Sequence, residues 1–361
     1  MKIVLAGDGF VTVEVLRRGL EAAGVVEAGI GYSSGVPNSP IHEVDILTLR
    51  SAWPDEPYKD FSGVHEALGD EDELIEALQG AEICFSHTFP FSEKVFAACP
   101  DLTLVTICRG GPVNVDLEAA TRHGVSVSFT PGRNATATAE HSVAMIMAAA
   151  RNIAQRDAEL RTGQWRSDYY NYTAVGPEIS GSTVGVCGYG AVGSRVATIL
   201  DAMGAHVLVY DPWIDPMRLG SDMEYVEELD ELLSRAHILT LHMRYSKDTA
   251  GMIGEREISL LPQDAILVNC ARGGLLDYEA VADALDSGKL FAAAFDCLPA
   301  EPLPSKHRLF STPNVTMTPH LAGASKQAAE LAAQIGGRDI AAYLSGKPLM
   351  HCANPQVREK K

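Results

Sequence analysis

The chain has 361 residues, 46% of them hydrophobic, and a formal charge of -18. That length fits two medium domains better than a single core. A surface this acidic excludes nucleic acid and anionic membrane as expected partners, although a local cluster of arginines can still hold a small anion.

Lys2 to Ala6 reads as a buried strand and 11 to 23 as a helix. This opening lacks the long apolar segment and small-residue cleavage site of a signal peptide. Residues 33 to 63 are rich in Pro, Gly, Ser and aromatic residues, with a short apolar run at Ile46 to Leu49. Helices are expected over Glu71 to Leu78 and Phe91 to Ala98. Strands are expected over Glu82 to Ser86, Leu102 to Ile107 and Val125 to Phe129. This alternation suggests a small sheet covered by helices. A long Ala-rich helix is expected after Asn134, through ATATAEHSVAMIMAAARNIAQRDAEL, suited to burial between domains or subunits. In the linker behind it, Tyr169, Tyr170 and Tyr172 line a pocket, sit at an interface or simply pack.

From Thr183 a more regular unit begins, with strands in TVGVCG, HVLVYD, HILTLH, AILVNC, AAAFDC and NVTMTP. Helical crossovers between them predict a parallel sheet. Ser325 to Leu344 reads as an amphipathic helix that packs back on the first domain. Seven cysteines are scattered without a CxxC pair, which suits buried thiols in a reducing compartment. No run reaches the roughly 18 apolar residues of a membrane span. A cytoplasmic protein is the expectation.

Strand VGVCG runs into Gly188-Tyr189-Gly190-Ala191-Val192-Gly193 and then a helix pattern. A lone GxGxxG means little, but here the required strand and helix flank it. Gly188 permits the tight turn, Gly190 the approach of a pyrophosphate, and Gly193 close helix packing. Asp211 ends the next strand, where an acidic side chain accepts ribose hydroxyls and disfavours a 2'-phosphate, so NAD is preferred to NADP. LAGDGF near the start has Gly7 and Gly9 but no third glycine in phase. It reads as an ordinary strand-to-helix turn.

LVNCARGGLLD places Arg272 at the end of a run that reads as a buried strand. A charge there is expensive unless paired, and a substrate carboxylate suits the rigid donor fork of a guanidinium. Gly273 and Gly274 leave room for a ligand or make a turn into the next helix. Glu301 in CLPAEPLP and His320 in TPHLAG follow the last two strands. Loops after successive parallel strands open on one edge, so the three ionisable residues share a rim. His320 can move a hydroxyl proton, Glu301 can orient and charge it, and Arg272 can polarise a carbonyl.

These segments resemble the D-isomer-specific 2-hydroxyacid dehydrogenases, over nearly the whole chain from about Ala81 onward. The resemblance rests on VGVCGYGAVG, LVNCARGGLLD, AFDCLPAEPLP and TPHLAG. It implies two Rossmann-like domains with parallel doubly wound sheets and an interdomain active-site cleft. The substrate-binding domain would comprise 1–133 and 321–350, the NAD-binding domain 134–320 with its core at 181–319, and 351–361 a C-terminal tail. The implied catalytic residues are Arg272, Glu301 and His320. Asp296 would hold the nicotinamide carboxamide, and His242, Cys270 and Ala271 would join the glycine loop at the cofactor. Gly110 and Gly111 in CRGGPVNVD would meet a substrate carboxylate, and Asn134 would hold the two domains in relation. NAD is the implied cofactor and no metal is expected. The partners would be a 2-hydroxy or 2-keto acid and a second copy in a homodimer.

Several departures stand out. The first domain is longer around 31 to 70. Arg244 replaces a usual proline, and reads either as a contact to an anion or as a solvated arginine. Arg109 replaces a bulky residue in the glycine loop, and His87 lies in a loop where relatives place substrate contacts. With Arg133, these favour a phosphorylated or polyhydroxylated acid over lactate. The chain ends soon after its last helix, so a serine-binding regulatory domain is not expected. A corepressor-like module that senses NAD and binds proteins is the alternative reading. A methyltransferase would leave the ionisable trio unexplained.

Overall fold

The computed structural model describes residues 1–26, 44–61, 63–220 and 222–360. Of the Pro- and Gly-rich stretch, 33–43 and 62 lie outside the described residues. The chain divides into two compact units, Met1–Asn134 with Ser325–Lys361 and Ala135–Ala324. We call these unit 1 and unit 2.

Unit 1 begins with β1 (Lys2–Gly7), α1 (Val13–Ala22), β2 (Asp45–Arg50), β3 (Lys59–Phe61), β4 (Val64–Ala67) and α2 (Glu71–Leu78). It continues through β5 (Ile83–Ser86), α3 (Glu93–Ala98), β6 (Leu104–Ile107), α4 (Leu117–Arg122) and β7 (Ser126–Phe129). The main sheet has the order β2-β1-β5-β6-β7, with every pair parallel. The apolar run at Ile46 to Leu49 thus becomes an edge strand. Strands β3 and β4 form a separate antiparallel pair that the sequence pattern did not suggest.

Unit 2 opens with α5 (Ala135–Ala150) and α6 (Ile153–Arg161). One continuous helix was expected here. It breaks because Asn152 adopts a left-handed backbone, φ 48°, which asparagine tolerates better than most residues. In the linker Tyr170 and Tyr172 are exposed, while the Tyr169 ring packs between the guanidiniums of Arg156 and Arg166, at 4.6 and 4.7 Å. Then follow β8 (Thr183–Cys187), α7 (Gly193–Ala202), β9 (His206–Tyr210), β10 (Glu224–Tyr225), α8 (Leu229–Arg235) and β11 (Ile238–Leu241). The last part holds α9 (Glu255–Leu260), β12 (Ala265–Asn269), α10 (Tyr278–Asp286), β13 (Leu290–Phe295) and β14 (Val315–Met317).

All seven strands pair in parallel, in the order β10-β9-β8-β11-β12-β13-β14. Successive side chains of a strand face opposite ways. Leu239, Leu241 and Leu267 therefore enter one apolar cluster, and Ile238, Ile266 and Val268 the other. Burial on both faces is why these strands read as unbroken apolar runs. Strand order reverses between β8 and β11, which sets the place for a ligand at the carboxyl edge.

The chain returns to unit 1 as α11 (Lys326–Leu344). Its N-cap Ser325 accepts a hydrogen bond from the Ala328 amide at 3.0 Å. Residues 321–324 stay with unit 2, where the Leu321 and Ala322 amides bond to Asp296. Of residues 351–361, expected as a tail, the described part is instead stitched to unit 1 through Asn354. The Val127 amide donates to Asn354 Oδ1 at 2.8 Å, and Asn354 Nδ2 donates to the Val125 carbonyl at 2.9 Å.

Helix α11 packs on α1 through glycines. A Cβ on Gly337 would lie 2.3 Å from the Gly19 carbonyl oxygen. Gly337→Ala in a free helix would stabilise by about 0.5–1 kcal/mol. Here overpacking, at about 1–3 kcal/mol, outweighs that gain. Chemical denaturation of the variant should show a lower midpoint, and a higher one would contradict this packing.

Candidate active site

The glycine turn sits where the strand order of unit 2 reverses. Gly188 follows β8 with φ 92°, and a Cβ there would come within 2.7 Å of the Met243 amide. A Cβ on Gly193 would lie 1.9 Å from the Gly188 carbonyl oxygen. These two glycines serve the fold of the turn. Gly190 differs, since an added Cβ would meet nothing within 4 Å. The protein itself does not require that glycine, so the open space suits a ligand. Asp211 fastens the turn: Oδ2 accepts from the Tyr189 amide at 2.8 Å and Oδ1 from the Trp213 amide at 2.9 Å. His242, across from the turn, bonds Thr240 through Nε2 at 2.9 Å. Its Nδ1 is buried without a partner among the described residues. Burial pulls its pKa down to about 4, so this imidazole is neutral. Cys270 is a buried thiol, pushed up to about 12 by burial.

Arg272, Glu301 and His320 lie on loops after β12, β13 and β14, which are neighbours in the sheet. His320 Nδ1 is 2.6 Å from Glu301 Oε2, and Glu301 Oε1 accepts from the Leu298 amide at 3.0 Å. Burial acts to raise the Glu301 pKa. The bond to His320, the Leu298 amide and the charge of Arg272 outweigh it and hold the carboxyl below its usual range. The imidazole is pushed up to about 10, first by its hydrogen bond with Cys297 and then by Glu301, against the effect of burial. Engagement of Nδ1 with Glu301 leaves Nε2 for proton exchange.

Cys297 was missed at the sequence level, since a cysteine in an apolar run reads as core. Its Sγ and the ligand atoms of Glu301 and His320 lie within 4.8 Å of one another. These donor types also suit zinc, but Nδ1 and Oε2 are already joined by their own hydrogen bond.

The backbone of His320 has φ 54°, a costly conformation for a non-glycine residue. Asp296, fully buried, holds it. Oδ1 accepts from Thr318 Oγ1 at 2.6 Å and the Leu321 amide at 2.7 Å, and Oδ2 from the Ala322 amide at 2.8 Å. The His141 ring is 3.5 Å from Oδ1.

Arg272 departs from its expected setting. Strand β12 ends at Asn269, and Arg272 is exposed beyond it, so the cost of a buried charge does not arise. Its Nη1 donates to the Ala271 carbonyl at 2.7 Å. The space left by the next two glycines is filled by protein. A Cβ on Gly273 would sit 2.0 Å from the Leu298 carbonyl oxygen, and one on Gly274 2.5 Å from the Tyr245 ring. Arg244 is exposed.

The remaining expected site residues belong to unit 1. His87 is buried and its Nδ1 lies 2.6 Å from Asp8 Oδ2. Arg109 bonds the carbonyl and carboxylate of Glu66. The amides of Gly110 and Gly111 have no hydrogen-bond acceptor among the described residues, and a Cβ on either would meet nothing within 4 Å. Asn134 immediately precedes α5.

Residues 143–322 match the NAD binding domain of the D-isomer specific 2-hydroxyacid dehydrogenases. A glyoxylate reductase of Thermofilum pendens is 34% identical over 267 residues, 73% of this chain and 78% of that one. The chain belongs to the D-isomer specific 2-hydroxyacid dehydrogenase family. Within the family it is also similar to the D-3-phosphoglycerate dehydrogenase of Mycobacterium leprae, 39% identical over 248 residues, 69% of this chain and 45% of the relative. The chain thus spans about half the length of that relative. A D-lactate dehydrogenase of Lactobacillus jensenii, solved with NAD+, shares the fold with a TM-score of 0.75 at 24% identity, over 98% of this chain and 99% of that one. The two-unit α/β architecture is the family's, and NAD is its cofactor. No helix among the described residues is long and apolar enough to cross a membrane.

The open space at Gly190 and the orphaned His242 Nδ1 fit a cofactor at this turn. Gly190→Ala should therefore fold with unchanged thermal stability yet bind NADH at least about tenfold more weakly in a fluorescence titration. Gly193→Ala should lower stability even without cofactor. Equal NADH affinity of Gly190→Ala and wild type would remove the turn from the cofactor site.

Proposed function

We propose that this family member interconverts a D-2-hydroxy acid and its 2-keto acid, and that the acid is phosphorylated or sugar-derived. The observation that carries the reading is the His320–Glu301 pair, on one sheet rim with Arg272 and in the same unit as the glycine turn. NAD, when bound, accepts or supplies the hydride. Gly188, Tyr189, Gly190, Ala191, Val192, Gly193 and Asp211 would hold it, with His242, Cys270, Ala271, Asp296 and His320. The carboxylate of Asp211 disfavours a 2'-phosphate.

His320 keeps a proton at Nε2 and gives it to the keto oxygen in reduction, or takes it back in oxidation. Glu301 orients the ring through Nδ1 and favours its charged form. The guanidinium of Arg272 is exposed and makes one hydrogen bond among the described residues, to a neighbouring carbonyl. It grips the substrate carboxylate and polarises the keto oxygen. In unit 1 the amides of Gly110 and Gly111, without an acceptor among the described residues, are donors suited to a carboxylate. Arg109 and His87 line the substrate side, where positive and polar groups favour a phosphorylated or hydroxylated acid. The similarity to a phosphoglycerate dehydrogenase supports the same class. All seven cysteines are free, which suits a reducing cytoplasm. A homodimer completes the reading.

NADH oxidation measured with a panel of 2-keto acids tests this. Turnover is expected, fastest with phosphorylated or polyhydroxylated acids. NADH binding without turnover on any acid would overturn the activity. Reduction needs the charged imidazole, whose pKa is raised to about 10, so its rate should persist through neutral pH and fall as pH rises through that value. Removing the carboxylate charge in Glu301→Gln should move this fall down by roughly 1–3 pH units. An unmoved alkaline limb would show that Glu301 does not set the proton affinity of His320.

A further inference from the structure

Two neighbouring loops of unit 2 bring a thiol to the His320–Glu301 pair. Cys297 and Glu301 lie on the loop after β13, and His320 on the loop after β14. The two strands pair, so their loops meet. Sγ of Cys297 and one ligand atom from each of the other two lie within 4.8 Å of one another. Thiolate, carboxylate and imidazole are the ordinary ligands of zinc, and the sulfur selects zinc over magnesium or calcium.

Each of the three is fastened by its own partner. The buried Tyr278 ring packs edge-on against Phe295, with centroids 5.0 Å apart. Its hydroxyl donates to the Cys297 carbonyl at 2.5 Å, and Asn269 Nδ2 donates to the Tyr278 oxygen at 3.3 Å. The Leu298 amide holds Glu301 Oε1 and leaves Oε2 for His320. Asp296 fixes the turn that carries His320. Groups already held in place lose little freedom when an ion joins them.

Burial divides the set. Cys297 is enclosed, whereas the His320 and Glu301 side chains are 44% and 39% exposed. A cation can enter from the solvent side and keep water in its fourth position. A thiolate and a carboxylate balance its two charges. Losing the thiol proton costs little hydrogen bonding. The Ala271 carbonyl, which accepts from Sγ at 3.2 Å, keeps its bond from Arg272 Nη1 at 2.7 Å. The charge of Arg272 opposes a cation, but that guanidinium is exposed and screened by water and salt. The bond between His320 and Glu301 is no barrier either. Tetrahedral zinc spaces its nitrogen and oxygen ligands about 3.3 Å apart, against 2.6 Å for Nδ1 and Oε2. Side chains this exposed can make that shift.

We propose that Cys297, Glu301 and His320 form an inhibitory zinc site, in which the ion replaces the proton between His320 and Glu301 and withdraws the imidazole from acid–base exchange. The thiol and imidazole protons pass to water as the bonds to zinc form, with no change of oxidation state. All three residues belong to unit 2. Metal binding stands on this geometry alone, and the inhibition rests on the functional reading above.

Cobalt(II) tests the binding. One equivalent added to the metal-free wild-type protein should give a thiolate-to-metal charge-transfer band, and zinc should abolish it. Cys297→Ala should lack the band. Glu301→Gln should keep it with at least about tenfold weaker binding. No band in wild type, or a band that survives Cys297→Ala, would overturn the site. NADH oxidation with a 2-keto acid tests the effect, each protein being compared with its own rate in chelator. Zinc should inhibit wild type, and chelator should restore the rate. Cys297→Ala should need at least about tenfold more zinc. Cys352→Ser, which alters the one cysteine that is not buried, should need no more than wild type. Equal zinc sensitivity of Cys297→Ala and wild type, or bound metal that leaves turnover untouched, would overturn the inhibition. If no acid turns over, the redox reading fails and the cobalt spectrum alone decides the metal site.

Discussion

The rim that carries His320 depends on one buried carboxylate. Asp296 takes hydrogen bonds from Thr318, Leu321 and Ala322 and so fixes the turn that carries His320. A left-handed residue other than glycine costs about 1–3 kcal/mol. A hydrogen bond to a charged group contributes about 1.5–3 kcal/mol, so three of them outweigh the strain. The imidazole is thereby held against Glu301 by the backbone as well as by its own hydrogen bond. The clamp thus acts on proton affinity indirectly, by holding the ring beside Cys297 and Glu301, the groups that raise it.

Both units use parallel sheets in the same way, but they finish their polar edges differently. In unit 2 the charges compensate one another: His320 meets Glu301, and Arg272 stands in solvent next to that carboxylate. In unit 1 Asp8 and Glu66 are consumed by other partners, and Arg133 is left with unused donors. The resident glycines divide similarly. Gly188, Gly193 and Gly273 are demanded by the chain's own contacts, whereas Gly190, Gly110 and Gly111 stand beside open space.

Much of this was legible in the sequence because parallel strands buried on both faces leave unbroken apolar runs. AILVN and ILTL announce themselves, and the loops behind them then share an edge by topology alone. That logic placed Arg272, Glu301 and His320 together. What it could not reach depends on contacts between distant residues. Asp8 and His87 are 79 positions apart, and only the pairing of β1 with β5 makes them neighbours. Cys297 looked like core because a thiol in an apolar run usually is. The environment of Arg272 was misjudged because the strand stops at Asn269, before the charge. The helix after Asn134 was read as continuous because its composition gives no hint of the left-handed Asn152.

The most direct measurement is an NMR titration of the His320 imidazole in wild type and in Asp296→Asn. The account expects wild-type His320 to titrate far above the ordinary histidine value of about 6.5, and to fall back toward it when Asp296→Asn loosens the turn that holds the ring against Cys297 and Glu301. A wild-type ring that titrates near the ordinary value, or one indifferent to Asp296→Asn, would contradict it.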